Sequence, residues 1–169
     1  MPATTTPILD GGSAALPKLY GDEPFEANAE LEPLTHSEME AFVKDVITGL
    51  RAESSAPISV GQAAAKWKNA FSQCDVDFYQ IHIYDWVNDW WPYTQTPSEL
   101  GLADKPVVYG EYPGGGLTGI DEAEMLETWY ANGIAGGLSW AYTDTAFNIA
   151  SSLDAIDSFA SAHACETTY

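Results

Sequence analysis

Positive charge is scarce in this sequence: six Lys and Arg stand against 25 Asp and Glu, a formal net charge of −19. That balance repels nucleic acid and anionic lipid and argues against a phosphate-rich partner, while neutral substrates stay open. An acidic surface of this kind also suits a high-salt habitat or a highly soluble extracellular protein. Cysteine is rarer still. Cys74 and Cys165 are the only two, too few for a disulfide framework and without the C-x-x-C or Cys/His spacing that suggests zinc. We read them as unpaired, with a disulfide between them left open. No basic n-region followed by an apolar h-region is visible, and no apolar run reaches about 18 residues, so neither a signal peptide nor a membrane span is expected. The glycines at 114–116 open no G-x-x-x-x-G-K-S/T phosphate loop.

What is present is enough for one domain with a core: 169 residues, 46% of them hydrophobic, with six Trp and nine Tyr. Residues 1–15, rich in Thr, Pro, Gly and Ser, read as a flexible or ragged lead-in, and 16–169 as the folded part. In LTHSEMEAFVKDVITGL, Thr35 and Glu38 form a capping box and Leu34 with Met39 a hydrophobic staple. Met39, Phe42, Val43, Val46, Ile47 and Leu50 then recur at helical spacing as one apolar stripe. A short strand is expected at Ile58–Val60, followed by a helix over Ala63–Phe71 with Trp67 and Phe71 inward. In DVDFYQIHIYDW the period of two puts Phe78, Gln80, His82 and Tyr84 on one face of a strand and Tyr79, Ile81 and Ile83 on the other. After a Trp-rich loop and a helical piece near Ser98–Leu102, a third strand runs Pro106–Tyr112. GIDEAEMLETWYANG repeats the helix grammar, with Asp121 and Glu124 as capping box, Ile120 and Met125 as staple and Gly133 as terminator. Residues 134–142 give a fourth strand, and Leu153, Ile156 and Phe159 mark a last helix. Strand followed by helix, repeated, describes α/β architecture with a parallel sheet.

In such folds binding and catalytic groups gather at the carboxyl ends of the strands. Glu111 stands at the end of the third strand, His82 and Tyr84 end the second, and Trp140 ends the fourth, so the four surround one mouth. A solvated Glu and a core His, Tyr and Trp are the plain alternatives, each reasonable alone; their coincidence at three successive strand ends favours a site.

PISVGQAAAKW, DFYQIHIYDW, KPVVYGEYP and GIAGGLSWAY, in this order and spacing, resemble strands five to eight of the retaining glycoside hydrolases on a (β/α)8 barrel, the cellulase and β-mannanase family numbered five. The resemblance implies that the chain is a partial TIM barrel, strands four or five to eight, with its first three strands absent. It also implies that Glu111 is the nucleophile, that His82 and Tyr84 are the His-x-Tyr ending strand six, and that Trp140 is a platform under the sugar. A retaining enzyme needs a second carboxyl group about 5 to 5.5 Å from the first, to protonate the leaving oxygen and then activate water. The family takes it from an Asn-Glu-Pro motif, which falls on Asp22, Glu23 and Pro24, with Glu23 as acid/base. Asp22 departs from the pattern: as a carboxylate it accepts but does not donate to a sugar hydroxyl, and its charge would raise the pKa of Glu23. Trp86, Trp90 and Trp91, in the loop after the second strand, suit stacking on sugar faces, or form an aromatic cluster that holds the loop.

The function implied is hydrolysis of a β-1,4-glucan or β-mannan with retention, needing no metal and no organic cofactor. The partner is an oligo- or polysaccharide, not nucleic acid or a membrane. The family is mostly extracellular, though no signal peptide is seen here. A barrel needs eight strands and usually about 250 residues, so half of one leaves two sheet edges to pair. Three readings stay open: an enzyme completed by self-association, a truncated relic, and a non-catalytic carbohydrate-binding or interaction module. An open flavodoxin-like sheet is a more distant alternative for the fold; it would want a phosphate loop after an early strand.

Overall fold

The apolar stripe of LTHSEMEAFVKDVITGL builds helix α1, His36–Glu53. Met39, Val43 and Ile47, a row at i, i+4 and i+8, are buried in the same core as Phe71 and Cys74. Phe42, Val46 and Leu50 remain 48%, 43% and 48% exposed. The single stripe therefore splits into a buried row and an open one, because the described chain covers only one side of the helix. The computed structural model describes residues 36–62, 64–68, 70–85, 93–141 and 149–164. The proposed cap and staple residues Leu34 and Thr35 lie outside them, as does Cys165, whereas Cys74 is a buried free thiol.

Four strands follow: β1, Gly61–Gln62; β2, Tyr79–His82; β3, Val107–Pro113; and β4, Gly136–Trp140. They pair in chain order, every pair parallel. Helix α2, Glu122–Ala131, joins β3 to β4, and α3, Ile149–Ala162, follows β4. None of the described helices is long and apolar enough to cross a membrane.

The first unit is where expectation and structure differ most. The strand expected at Ile58–Val60 forms three residues later, although Ile58 and Val60 still pack on the core. The helix expected over Ala63–Phe71 is reduced to a 3-10 turn, Ala65–Trp67. Ala64 at its start has no side-chain oxygen to cap it, and the amide of Gln62 donates to the carbonyl of Lys68 at 3.3 Å. Trp67 and Phe71 are nevertheless buried. The piece near Ser98–Leu102 is a set of turns rather than a helix. It is closed by a reciprocal box in which Thr96 N–H donates to Glu99 Oε2 at 2.8 Å and Glu99 N–H to Thr96 Oγ1 at 3.2 Å.

Helix α2 forms as its sequence requires. Asp121 Oδ1 accepts the Glu124 N–H at 2.9 Å. At the other end Gly133, with φ +79°, and Ile134 return their N–H groups to the carbonyls of Tyr130 and Trp129, each at 3.0 Å. That is a Schellman motif, and its left-handed residue explains the glycine. Helix α3 packs on α2 through Tyr130, Phe159 and His163, whose ring centroids lie 4.1 to 5.8 Å apart.

Asp77 fastens the end of α1 to the start of β2. Its Oδ2 accepts the Ile58 N–H at 2.6 Å and an Arg51 guanidinium N–H at 2.7 Å. These contacts, the backbone donor first and Arg51 second, hold the Asp77 carboxyl below its usual range. The folded state thus binds this proton less readily than the unfolded chain does. The stabilisation is present above the unfolded pKa of about 3.9 and is lost as pH falls through the lower folded value. Asp77→Asn should accordingly lower the melting temperature at pH 7, and the gap to the native chain should close progressively as pH falls below about 3.9. Thermal melts across that range check it; a gap independent of pH would refute the electrostatic account.

Candidate active site

Plain alternation along β3 would set Glu111 on the same face as Tyr109, against helix α2. The structure does otherwise. Ile81 pairs with Tyr109 but His82 with Glu111, and on the far side Tyr109 pairs with Gly137 but Tyr112 with Ser139. One extra residue has entered β3 at Gly110–Glu111, a β-bulge, and it reverses the phase of the strand. Tyr109 and Tyr112, three apart, consequently both meet the Trp129 ring, at 4.6 and 5.1 Å. Glu111 turns to the opposite face, beside His82 and Tyr84.

Gly110 makes the bulge affordable at close quarters. A Cβ there would lie 2.1 Å from the Gln80 amide nitrogen and 2.3 Å from its Cγ, so any side chain would expel Gln80 from the strip just inside the site.

The carboxylate of Glu111 is gripped at one oxygen. Tyr84 donates its hydroxyl to Oε2 at 3.1 Å, and His82 Nδ1 lies 3.4 Å from the same atom. His82 and Tyr84 are buried, whereas the Glu111 side chain keeps 27% of its surface exposed. Two fixed partners on one oxygen set the plane of the carboxylate, and partial exposure lets a ligand reach it. Trp140, at the end of β4, is 44% exposed, and its carbonyl accepts the Gly114 N–H at 2.9 Å. The Trp140–Ala141 peptide is cis.

The loop after β3 closes this mouth. Gly116, at φ +98°, lies so near the backbone that a Cβ would fall 2.4 Å from the Ile120 carbonyl; the glycine run serves a tight turn, not a phosphate. Leu117 and Ile120 bridge across that turn. Asp85, the residue after Tyr84, accepts both the N–H of Thr118, at 2.9 Å, and its hydroxyl, so the loops after β2 and β3 are joined.

Of the residues singled out from the sequence, Glu111, His82, Tyr84 and Trp140 are thus placed at neighbouring strand ends, the first three in contact. Asp22, Glu23, Trp86, Trp90 and Trp91 lie outside the described residues. Among the described residues no cluster of three or more His, Cys, Asp or Glu is placed to hold a metal. Sequence reading missed the bulge, which Gly110 inside a strand pattern could have signalled. It also missed Asp85 and the buried Glu122, for which a carboxylate in an acidic chain gives no distinguishing signal.

Comparison with protein-family models and with curated proteins finds no match. Solved structures do match. A β-1,4-mannanase from the sea hare Aplysia kurodai superposes with a TM-score of 0.59 at 22% identity over 72% of this chain and 40% of its own. An endo-1,4-β-mannanase from Eisenia fetida gives 0.62 at 20% identity over 75% and 42%. The β-mannanase of the blue mussel Mytilus edulis gives 0.61 at 23% over 73% and 40%. The chain therefore spans about two fifths of the length of these neighbours. The likeness is one of fold: an α/β chain with the parallel sheet of a partial (β/α)8 barrel.

Proposed function

We propose that this chain carries the nucleophile half of a retaining glycoside hydrolase acting on β-1,4-linked mannan, and that it corresponds to strands four or five to eight of the barrel. The observation that carries the reading is the Glu111 carboxylate at a strand end, turned inward by a bulge and held at one oxygen by Tyr84 and His82. Mannan is favoured over glucan by the mannanases among the structural neighbours.

In the first step Glu111 attacks the anomeric carbon as the glycosidic C–O bond breaks, and Glu23 gives its proton to the leaving oxygen. In the second, Glu23 takes a proton from water, whose oxygen displaces Glu111 with a second inversion, so the configuration is retained. The Tyr84 hydroxyl stabilises the carboxylate before attack and after release. Trp140 offers an apolar face to the sugar, as would Trp86, Trp90 and Trp91 in the loop after β2. Among the described residues no strand pairs with the outer edges of β1 and β4; these edges, with the open row of α1, are where further barrel strands and helices would dock, from elsewhere in the chain or from a second copy.

The test is incubation of the purified chain with β-1,4-mannohexaose, following reducing ends and the anomeric proton signal of the new end. Shorter oligosaccharides appearing first as the β-anomer support the proposal. Initial α-anomer refutes retention, and sugar binding without cleavage by folded protein favours a non-catalytic module built on the exposed Trp140.

A further inference from the structure

Glu122 is the first residue of α2 and yet only 3% exposed. A carboxylate taken out of water must be matched by donors. Here Oε1 accepts the Ser152 hydroxyl of α3 at 2.6 Å, and Oε2 accepts the N–H of Gly115 in the loop after β3 at 2.9 Å. The helix N-terminus adds favourable potential. Ser152, itself fully buried, lies 2.7 Å from the hydroxyl of Ser139 on β4, and the Tyr112 phenol of β3 lies beside both Glu122 and Ser139.

Proton accounting gives this ring a direction. An ionised carboxylate only accepts, so Ser152 donates to Glu122, and Ser152 must then accept from Ser139. Tyr112, its phenol pushed well above the usual range by burial and next by Glu122, keeps its proton, and since the Ser139 proton goes to Ser152 it is toward Glu122 that this one is offered. One carboxylate thus orders three hydroxyls and a loop amide drawn from β3, its following loop, β4 and α3.

The ring lies one residue from the site on two strands. Tyr112 follows Glu111, and Ser139 precedes Trp140; in each pair one residue points into the ring and the other to the mouth. The Gly115 loop is tied to the Trp140 carbonyl through Gly114. We propose that Glu122 is a positioning residue, whose buried carboxylate acts through Tyr112 and Ser139 to fix Glu111 and Trp140 relative to each other. Its catalytic consequence rests on the glycosidase reading; its structural consequence does not.

The experiment compares the native chain with Glu122→Ala, Glu122→Gln and Ser152→Ala. It measures kcat and KM on mannohexaose and the titration of the Glu111 side-chain carboxyl by carbon-13 NMR. Glu122→Ala should lower kcat about tenfold or more, with KM changed less, and displace the Glu111 titration. Glu122→Gln should largely restore both, because its carbonyl can take the Gly115 N–H while its NH2 group reverses the hydroxyl chain. Ser152→Ala, which keeps the carboxylate, should shift both in the same direction by less, and it decides the matter if Glu122→Ala does not fold. Folded variants with native kcat and native Glu111 titration would overturn the proposal. If the native chain cleaves no mannan, the glycosidase reading fails, and the titration alone still decides whether Glu122 positions Glu111.

Discussion

Glu111→Gln is expected to lower mannan turnover on the order of 10⁴-fold or more, as removal of a nucleophile does elsewhere. The fold should survive. The amide keeps an oxygen to accept the Tyr84 hydroxyl, now 3.1 Å from Oε2, and the side chain is partly exposed, so the melting temperature should move by only a few degrees. What is lost, on the proposed function, is the group that bonds the anomeric carbon. The sharper version is Glu111→Ala with azide. A small anion entering the vacated space attacks from the face that Glu111 occupied, and without a second displacement it yields the α-mannosyl azide from an activated β-mannoside. Loss of turnover in both variants, with α-azide formed only by the alanine variant, assigns the nucleophile. Turnover that persists in Glu111→Gln would show that another group performs the attack and that Tyr84 and His82 hold an ordinary carboxylate.

How Glu111 comes to face the mouth shows what the sequence could and could not convey. Its place at a strand end was legible, because Val107 to Tyr109 run apolar into Gly110 and the chain must leave the sheet soon after. The parallel order of strands was legible too, from helices whose caps can be read letter by letter, as at Asp121 and Gly133. The face was not. Strict period two sets Glu111 beside Tyr109, and only pairing with β2 and β4 reveals the inserted residue. Pairing is a non-local property, and a bulge leaves little local trace beyond one glycine. The first unit failed for a related reason. Ile58–Val60 has strand composition, but hydrogen bonding to β2 begins at Gly61, and an uncapped Ala64 start yields a single 3-10 turn where helical spacing promised more. The α1 stripe formed a packed helix as expected, but spacing identifies only which residues are apolar, and the assembled neighbours decide which row is covered.

The exposed apolar side chains lie largely at the flanks rather than at random. Besides the open row of α1, Leu138 on β4 is 63% exposed and Leu153 on α3 is half exposed. Leu138 and Trp140 alternate with Gly137 and Ser139, which face the helices, so β4 offers its inner face together with an edge that no described strand pairs. In a closed barrel both would be covered by the next strand and by side chains from across the interior. The centre of the sheet, by contrast, is finished: Ile81, Val107 and Tyr109 are fully buried.

That finished centre depends on one ring more than on any other, and Trp129→Ala should therefore be the most damaging single truncation in α2. Trp129 is almost wholly buried and meets Tyr109 and Tyr112 edge to face, while its indole N–H donates to the Tyr93 carbonyl at 3.2 Å. Opposite it, Gly137 leaves the space that the two rings fill: a Cβ there would lie 3.0 Å from Tyr112 and 3.3 Å from Trp129. Removing the indole empties a site walled by two strands and strands a carbonyl, at a cost of about 3 to 5 kcal/mol. Domains of this size are stable by only about 5 to 15 kcal/mol, so a large part of the margin disappears. Trp129→Phe should lose less, since a ring remains against both tyrosines, although it too leaves the Tyr93 carbonyl without the indole donor. Urea denaturation of the three proteins orders them directly. Because Tyr112 is the neighbour of Glu111, mannan turnover should fall in Trp129→Phe even where the protein is fully folded. Native stability in Trp129→Ala would mean that β3 is held chiefly by its pairing with β2 and β4, and that the aromatic contact with α2 is incidental.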